Sequence, residues 1–133
     1  MRNNCWSDPA LLAARVLVAG LFLGGAVQKL VSPADAQALL ALRGLPVALI
    51  WPAFLFNLVA GLLLVTGVRV WSTSLLLAAY CGGTSFFHLI PADPWQMSIF
   101  VKNWAISGGC LALAVAGPGR WALRPDIRNK ASV

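Results

Sequence analysis

The sequence is poor in charged residues, and acidic residues are the scarcest. Its 133 residues include four aspartates and no glutamate, and charged residues make up 11% of the chain. A soluble domain carries about 25% charged residues. This shortage excludes an ordinary water-facing surface, and with it a soluble enzyme, a disordered chain or a DNA-binding domain. The chain has instead 59% hydrophobic residues and a mean hydropathy of +0.79, a composition typical of an integral membrane protein.

Metal-ligating and nucleophilic residues are also scarce. The chain has one histidine, His88, and three cysteines, Cys5, Cys81 and Cys110, that form no CxxC pair. Without carboxylates inside the apolar runs, four metal ligands cannot be assembled, so no metal site is predicted. Cys81 and Cys110 are interpreted as small apolar core residues rather than as a redox pair. No residue pattern identifies a catalytic group.

Four apolar runs occupy about residues 11–31, 46–67, 70–90 and 98–117. Each approaches the roughly 20 residues with which a helix crosses a bilayer, and a helix satisfies its backbone hydrogen bonds within lipid. The predicted fold class is therefore all-α, an integral membrane four-helix bundle. It forms a single transmembrane domain over residues 1–133, with a basic tail at 118–133. Residues 32–45 are predicted to form a short amphipathic surface helix between the first and second helices.

The basic residues predict the orientation of these four spans. The net charge is +6, and four crossings would put both termini and the second connection on one side. That side would carry Arg2, Arg15, Arg69, Arg120, Arg124, Arg128 and Lys130. The opposite side would carry Lys29, Arg43 and Lys102. Because basic residues concentrate in cytoplasmic loops, both termini are predicted to be cytoplasmic. The same pattern suits anionic lipid rather than nucleic acid.

Small residues recur along each run at the spacing that lets helices approach closely. Gly20 and Gly24 form a GxxxG pair in the first run. In lipid, such close packing contributes more to helix association than burial of apolar side chains does. Helix packing is therefore predicted through Gly20, Gly24, Gly61, Gly82 and Gly108.

Polar side chains inside apolar runs are costly, so they mark candidate functional positions. Asn57 lies near the middle of the second run, and the others lie in the outer third if the orientation is correct. Together these groups would form a pocket of hydrogen-bond donors with one titratable imidazole, as a quinone head group requires. The predicted ligand-binding residues are His88, Asn103, Gln28, Lys102, Lys29 and Asn57.

Each candidate also has a structural interpretation. The two lysines can extend their ammonium groups to the membrane surface, as long cationic side chains do near helix ends. His88 can cap its helix or pair with Asp93. The amides of Gln28, Asn57 and Asn103 can serve instead as hydrogen bonds between helices.

In the order of its motifs the chain resembles the DoxX family of small four-helix membrane proteins, from about residue 15 to residue 123. The stretches that carry the resemblance are 24–30, 44–46, 61–67, 84–88, 102–109 and 117–121. Two positions depart from the family pattern. Asn57 stands where the family often has a glutamate, and no aspartate follows the closing Gly117-Pro118-Gly119. Asn57 can hydrogen-bond but cannot titrate, so a proton-handling role does not carry over.

The resemblance implies a redox-linked membrane subunit, because the family is similar to the membrane subunit of thiosulfate:quinone oxidoreductase. The expected function is an integral subunit in a bacterial inner membrane that binds quinone or another isoprenoid lipid near the outer face. On its own the chain is not expected to be an enzyme. Its expected partners are lipids and other membrane subunits or a second copy. The alternatives are a non-catalytic accessory subunit that packs against a larger complex and, third, a small-molecule transporter.

Overall fold

The computed structural model describes residues 6–123. This part of the chain consists of helices joined by turns and contains no strand, which confirms the predicted all-α class. The five helices are α1 (Ser7–Val31), α2 (Ala34–Leu42), α3 (Ile50–Thr66), α4 (Val70–Ser85) and α5 (Pro94–Ala116). Short 3-10 turns at Val47–Leu49 and Phe86–His88 lead into α3 and follow α4.

Three segments within residues 6–123 are long and apolar enough to cross a membrane. They are Ser7–Val31, Val47–Thr66 and Pro94–Ala116. α4 has 16 residues, shorter than the predicted run at 70–90, because the chain tightens into a 3-10 turn after Ser85. The fourth crossing and the orientation of the termini stay predictions.

The four longer helices pack as two pairs, α1 with α3 and α4 with α5, with smaller contacts between the pairs. All four contribute to one apolar core, which includes Ala19, Leu64, Leu77 and Cys110. Large apolar side chains also cover the outside, where Leu17 is 75% exposed and Val115 is 87% exposed. Such an outer surface is compatible with lipid and incompatible with water.

One end of the structure, here named the α2 end, carries α2 and the α4–α5 connection. Asp93 begins α5 there, because its carboxylate accepts hydrogen bonds from the amides of Trp95 and Gln96. A short helix also forms where residues 32–45 predict one. It contacts both 3-10 turns, so it lies across this end of the two helix pairs.

The opposite end, here named the Arg15 end, is closed by the C-terminal segment (residues 117–123). The segment turns back after α5, and its Arg120 amide donates to the Asp8 carboxylate at 3.0 Å. The Leu123 amide donates to the Thr66 carbonyl at 2.9 Å. The Arg15 guanidinium donates to the Trp121 carbonyl at 2.5 Å. These bonds tie the end of α5 to α1 and to the α3–α4 turn.

The five glycines that were predicted to pack helices together fall into two groups. A Cβ on Gly61 would lie 2.7 Å from Leu23, and one on Gly82 would lie 3.6 Å from Trp104, so both glycines sit where helices meet. Gly20, Gly24 and Gly108 have nothing within 4 Å of that position among the described residues. The buried face of α1 runs instead through Arg15, Ala19, Phe22 and Ala26. Within residues 6–123, no contact between helices runs through these three glycines.

Candidate functional site

Asn57 is the most deeply buried of the predicted site residues. It lies on α3, is 3% exposed, and places its Nδ2 atom 3.3 Å from where a Cβ would stand on Gly25 of α1. Its side chain lies near the Tyr80 side chain of α4, and its Oδ1 atom has no hydrogen-bond partner. A buried acceptor without a partner costs about 1–3 kcal/mol. Asn57 therefore presents an unused hydrogen-bonding group inside the protein.

Lys29 brings a positive charge to the same place. Its Nζ atom donates to the Gly25 carbonyl at 3.3 Å and lies 3.7 Å from the Gly25 Cβ position. Helical side chains lean toward the N-terminus of their helix, so this ammonium turns away from the α2 end and toward the interior. The position of this ammonium relative to the membrane surface stays a prediction. A cation within an apolar segment is costly in lipid, so Lys29 remains a candidate functional residue.

Tyr80 completes this group, and the sequence analysis missed it. Its ring lies between Phe22, at 6.4 Å between centroids, and Phe56, at 5.0 Å. This packing places Tyr80 beside Asn57. Tyr80 is the one tyrosine of the chain, and a hydroxyl inside an otherwise apolar run was the signal available. We name Lys29, Asn57 and Tyr80 the polar centre.

An apolar groove of about 170 Å³ lies beside the polar centre, between α3 and α4. Phe56 links the two features, because it lines the groove and its ring contacts Tyr80. The remaining lining residues are Val59, Ala60, Leu63, Thr73 and Leu76. Hydrogen-bonding groups next to an apolar groove suit a ligand with a polar head and an apolar tail.

The other four predicted residues lie elsewhere. The Nδ1 atom of His88 is 2.7 Å from the Gln96 Oε1 atom, so His88 joins the α4–α5 connection to α5 and does not pair with Asp93. Gln28 and Lys102 are exposed, and Asn103 is partly buried. Within residues 6–123 no hydrogen bond joins these four side chains to the polar centre. The tertiary structure therefore brings together Lys29 and Asn57 of the original six.

Arg15 is a second buried polar residue, at the opposite end of α1. It is 0% exposed, and its Nε and Nη1 atoms have no partner. Cys81 and Cys110 are buried free thiols. Residues 6–123 contain no group of three or more side chains able to hold a metal ion.

The helical fold, the apolar outer surface and the candidate spans define an integral membrane protein. Comparison with known proteins gives its family. The DoxX family model matches residues 10–89. The chain is also similar to the inner membrane protein YqjF of Escherichia coli (strain K12). The two are 32% identical over 124 residues, covering 92% of this chain and 95% of that protein. The chain belongs to the DoxX family, as its motifs indicate. No solved structure matches it significantly.

Proposed function

We propose that the chain is a membrane subunit of a redox-linked assembly that binds the head group of a quinone or another isoprenoid lipid at the polar centre. The observation that carries the proposal is the Lys29 ammonium, which turns inward beside the buried Asn57 carboxamide. In a membrane, such an arrangement is stabilised by a ligand that accepts hydrogen bonds.

The donors and acceptors of the polar centre suit both redox forms of a quinone. Lys29 carries three N–H donors, and the Asn57 amide and Tyr80 hydroxyl add further donors. The carbonyl oxygens of an oxidised quinone accept such bonds. The Asn57 Oδ1 atom, which has no partner, can accept a bond from the hydroxyl of the reduced form. In this proposal the electrons come from partner subunits.

The groove between α3 and α4 would accommodate an isoprenoid tail. Its lining is almost entirely apolar, and it begins at Phe56, next to the ring of Tyr80. A head group at Asn57 would therefore direct its tail along the groove toward Leu63. The proposal places the chain in a bacterial inner membrane with both termini cytoplasmic and with α4 as a fourth crossing.

The test compares bound quinone in purified wild-type protein and in Lys29→Met, Asn57→Leu and Tyr80→Phe variants, by lipid extraction and mass spectrometry. A hydrogen bond from a charged donor contributes about 1.5–3 kcal/mol, so Lys29→Met should lower affinity about tenfold or more. Lys102→Met is the matched control, because Lys102 is an exposed lysine on α5. Wild-type protein without quinone, or equal losses in both lysine variants, would contradict the proposal.

A second candidate function is an accessory subunit that packs against a larger membrane complex. The outward faces of Gly20, Gly24 and Gly108, with nothing within 4 Å, favour it, since small residues let helices of different chains approach. Gly24→Leu should then reduce co-purification of partner proteins while quinone content stays at the wild-type level. Unchanged co-purification would count against this role.

A further inference from the structure

We infer that α2 is a lid over the polar centre and that Arg43 is the latch that holds it closed. The inference rests on the proposed function for its purpose, because a lid matters only if the polar centre receives a ligand. The attachment of α2 and its position over the polar centre do not depend on which ligand binds.

α2 is held weakly compared with the other helices. None of its residues is buried, whereas each of the other four helices buries at least four. Its main contacts are with the 3-10 turns at Val47–Leu49 and Phe86–His88. Because no α2 side chain is buried in the packing between helices, α2 depends more on polar contacts than the other helices do. Segments with few buried contacts open at the lowest free energy.

Arg43 supplies those polar contacts. The Nη2 atom of its exposed side chain donates to the Phe86 carbonyl at 2.8 Å and to the Leu89 carbonyl at 3.1 Å. These carbonyls lie in the turn that follows α4, where a cation is favoured by the helix dipole, and the Phe86 carbonyl also accepts the Leu89 amide at 3.3 Å. In the described part of the chain, no other side-chain hydrogen bond joins residues 32–45 to the α4–α5 connection. One arginine thus fastens α2 to the second helix pair.

The polar centre lies close beneath the end that α2 covers. Lys29 is two residues before the end of α1, and Tyr80 is five residues before the end of α4. Asn57 is seven residues after the start of α3, a depth of about 10 Å at the helical rise of 1.5 Å per residue. α2 contacts the turns that precede α3 and follow α4. It therefore lies over the end of the helix pairs that is nearest to Lys29 and Asn57.

The experiment measures the attachment of α2 and access to the polar centre separately, in the full-length chain in lipid nanodiscs. Arg43→Gln removes the charge and the paired donors, and Arg69→Gln, an exposed arginine at the Arg15 end, is the control. Amide hydrogen exchange reports on residues 34–42 and 86–90. Access is the rate at which a small water-soluble methanethiosulfonate modifies Asn57→Cys, in a chain that also carries Cys5→Ser, Cys81→Ala and Cys110→Ala.

The expected result is that Arg43→Gln, and not Arg69→Gln, accelerates exchange in both segments and accelerates modification of the cysteine at position 57 by about tenfold. Unchanged exchange would show that Arg43 is not the latch. Faster exchange with unchanged modification would show that α2 does not cover the polar centre, and either result overturns the inference.

Binding of decylubiquinone, followed by quenching of tryptophan fluorescence, separates this inference from the proposed function. With a lid, Arg43→Gln should raise the association and dissociation rates together and leave Kd near the wild-type value. Protein that shows the latch by exchange and modification but binds no decylubiquinone would refute quinone binding while the lid stands. Binding whose rates do not change in Arg43→Gln would refute the lid while the proposed function stands.

Discussion

Gly67→Ala should be one of the most damaging small substitutions in this chain. Gly67 ends α3 in the left-handed region, at φ 76° and ψ 21°, and connects α3 to α4. A Cβ at this position would overlap the Nη1 atom of Arg15 and lie 2.5 Å from the Ala122 Cβ atom. Alanine would therefore push the C-terminal segment away from the α3–α4 turn and displace a fully buried arginine.

The expected loss of stability in Gly67→Ala has two contributions. A non-glycine residue in the left-handed region costs about 1–2 kcal/mol. Displacing Arg15 weakens its bond to the Trp121 carbonyl, and a hydrogen bond from a charged donor contributes about 1.5–3 kcal/mol. The free energy of unfolding should therefore fall by about 2.5–5 kcal/mol. For a chain of this size, that corresponds to a decrease in Tm of roughly 10 °C or more.

The assay is thermal unfolding of the purified protein in mild detergent, followed by circular dichroism. Gly83→Ala is the matched control, because Gly83 is a helical glycine with nothing within 4 Å of its Cβ position. Alanine there should leave Tm unchanged or raise it, since alanine favours a helix by about 1 kcal/mol over glycine.

Gly67→Asn separates the two contributions, because asparagine tolerates the left-handed region but keeps the Cβ. We expect it to be nearly as destabilising as Gly67→Ala. A Gly67→Ala protein with a Tm within about 2 °C of wild type would refute the reasoning about both the turn and Arg15. Wild-type stability in Gly67→Asn alone would refute the steric part.

Three further predictions concern contacts between and within helices. Gly61→Ala should cost about 1–3 kcal/mol, because its Cβ would stand 2.7 Å from Leu23, and adding Leu23→Ala should recover part of the loss. Ser107→Ala should cost about 0.5–1.5 kcal/mol, since it removes the 2.9 Å bond to the Ala78 carbonyl between α4 and α5. Asp93→Ala should cost about 1 kcal/mol through loss of the α5 cap, whereas Asp93→Asn should cost only a few tenths.

The same unfolding assay checks all three, with two controls. Gly108→Ala, on an open face, should not destabilise, and Ser98→Ala removes only an exposed bond to the carbonyl four residues earlier. An additive loss in the Gly61 and Leu23 double variant would contradict the steric argument. Equal effects of Ser107→Ala and Ser98→Ala would show that the bond between helices contributes nothing. Equal effects of the two Asp93 variants would contradict the capping argument.

The candidate site was only partly predictable, because the sequence locates polar residues along each helix but not around it. Lys29 and Asn57 were identified because a polar group inside an apolar run stands out. Tyr80 was missed, since tyrosine fits an apolar run without conflict. His88 looked like a ligand, yet it is paired with Gln96. Which side chains meet depends on the rotation of each helix, and that is set by contacts such as Gly61 against Leu23.

The sequence alone determined that the protein resides in lipid and that its secondary structure is helical. A chain with 11% charged residues and long apolar runs has to satisfy its backbone hydrogen bonds internally, and helices do so segment by segment. Proline, glycine and capping residues such as Asp93 then place the helix ends. The tertiary structure alone decided that Lys29 turns inward, that Arg15 is buried against the C-terminal segment, and that Gly20 and Gly24 face outward. In lipid these choices depend on close packing between particular faces, which a one-dimensional pattern does not specify.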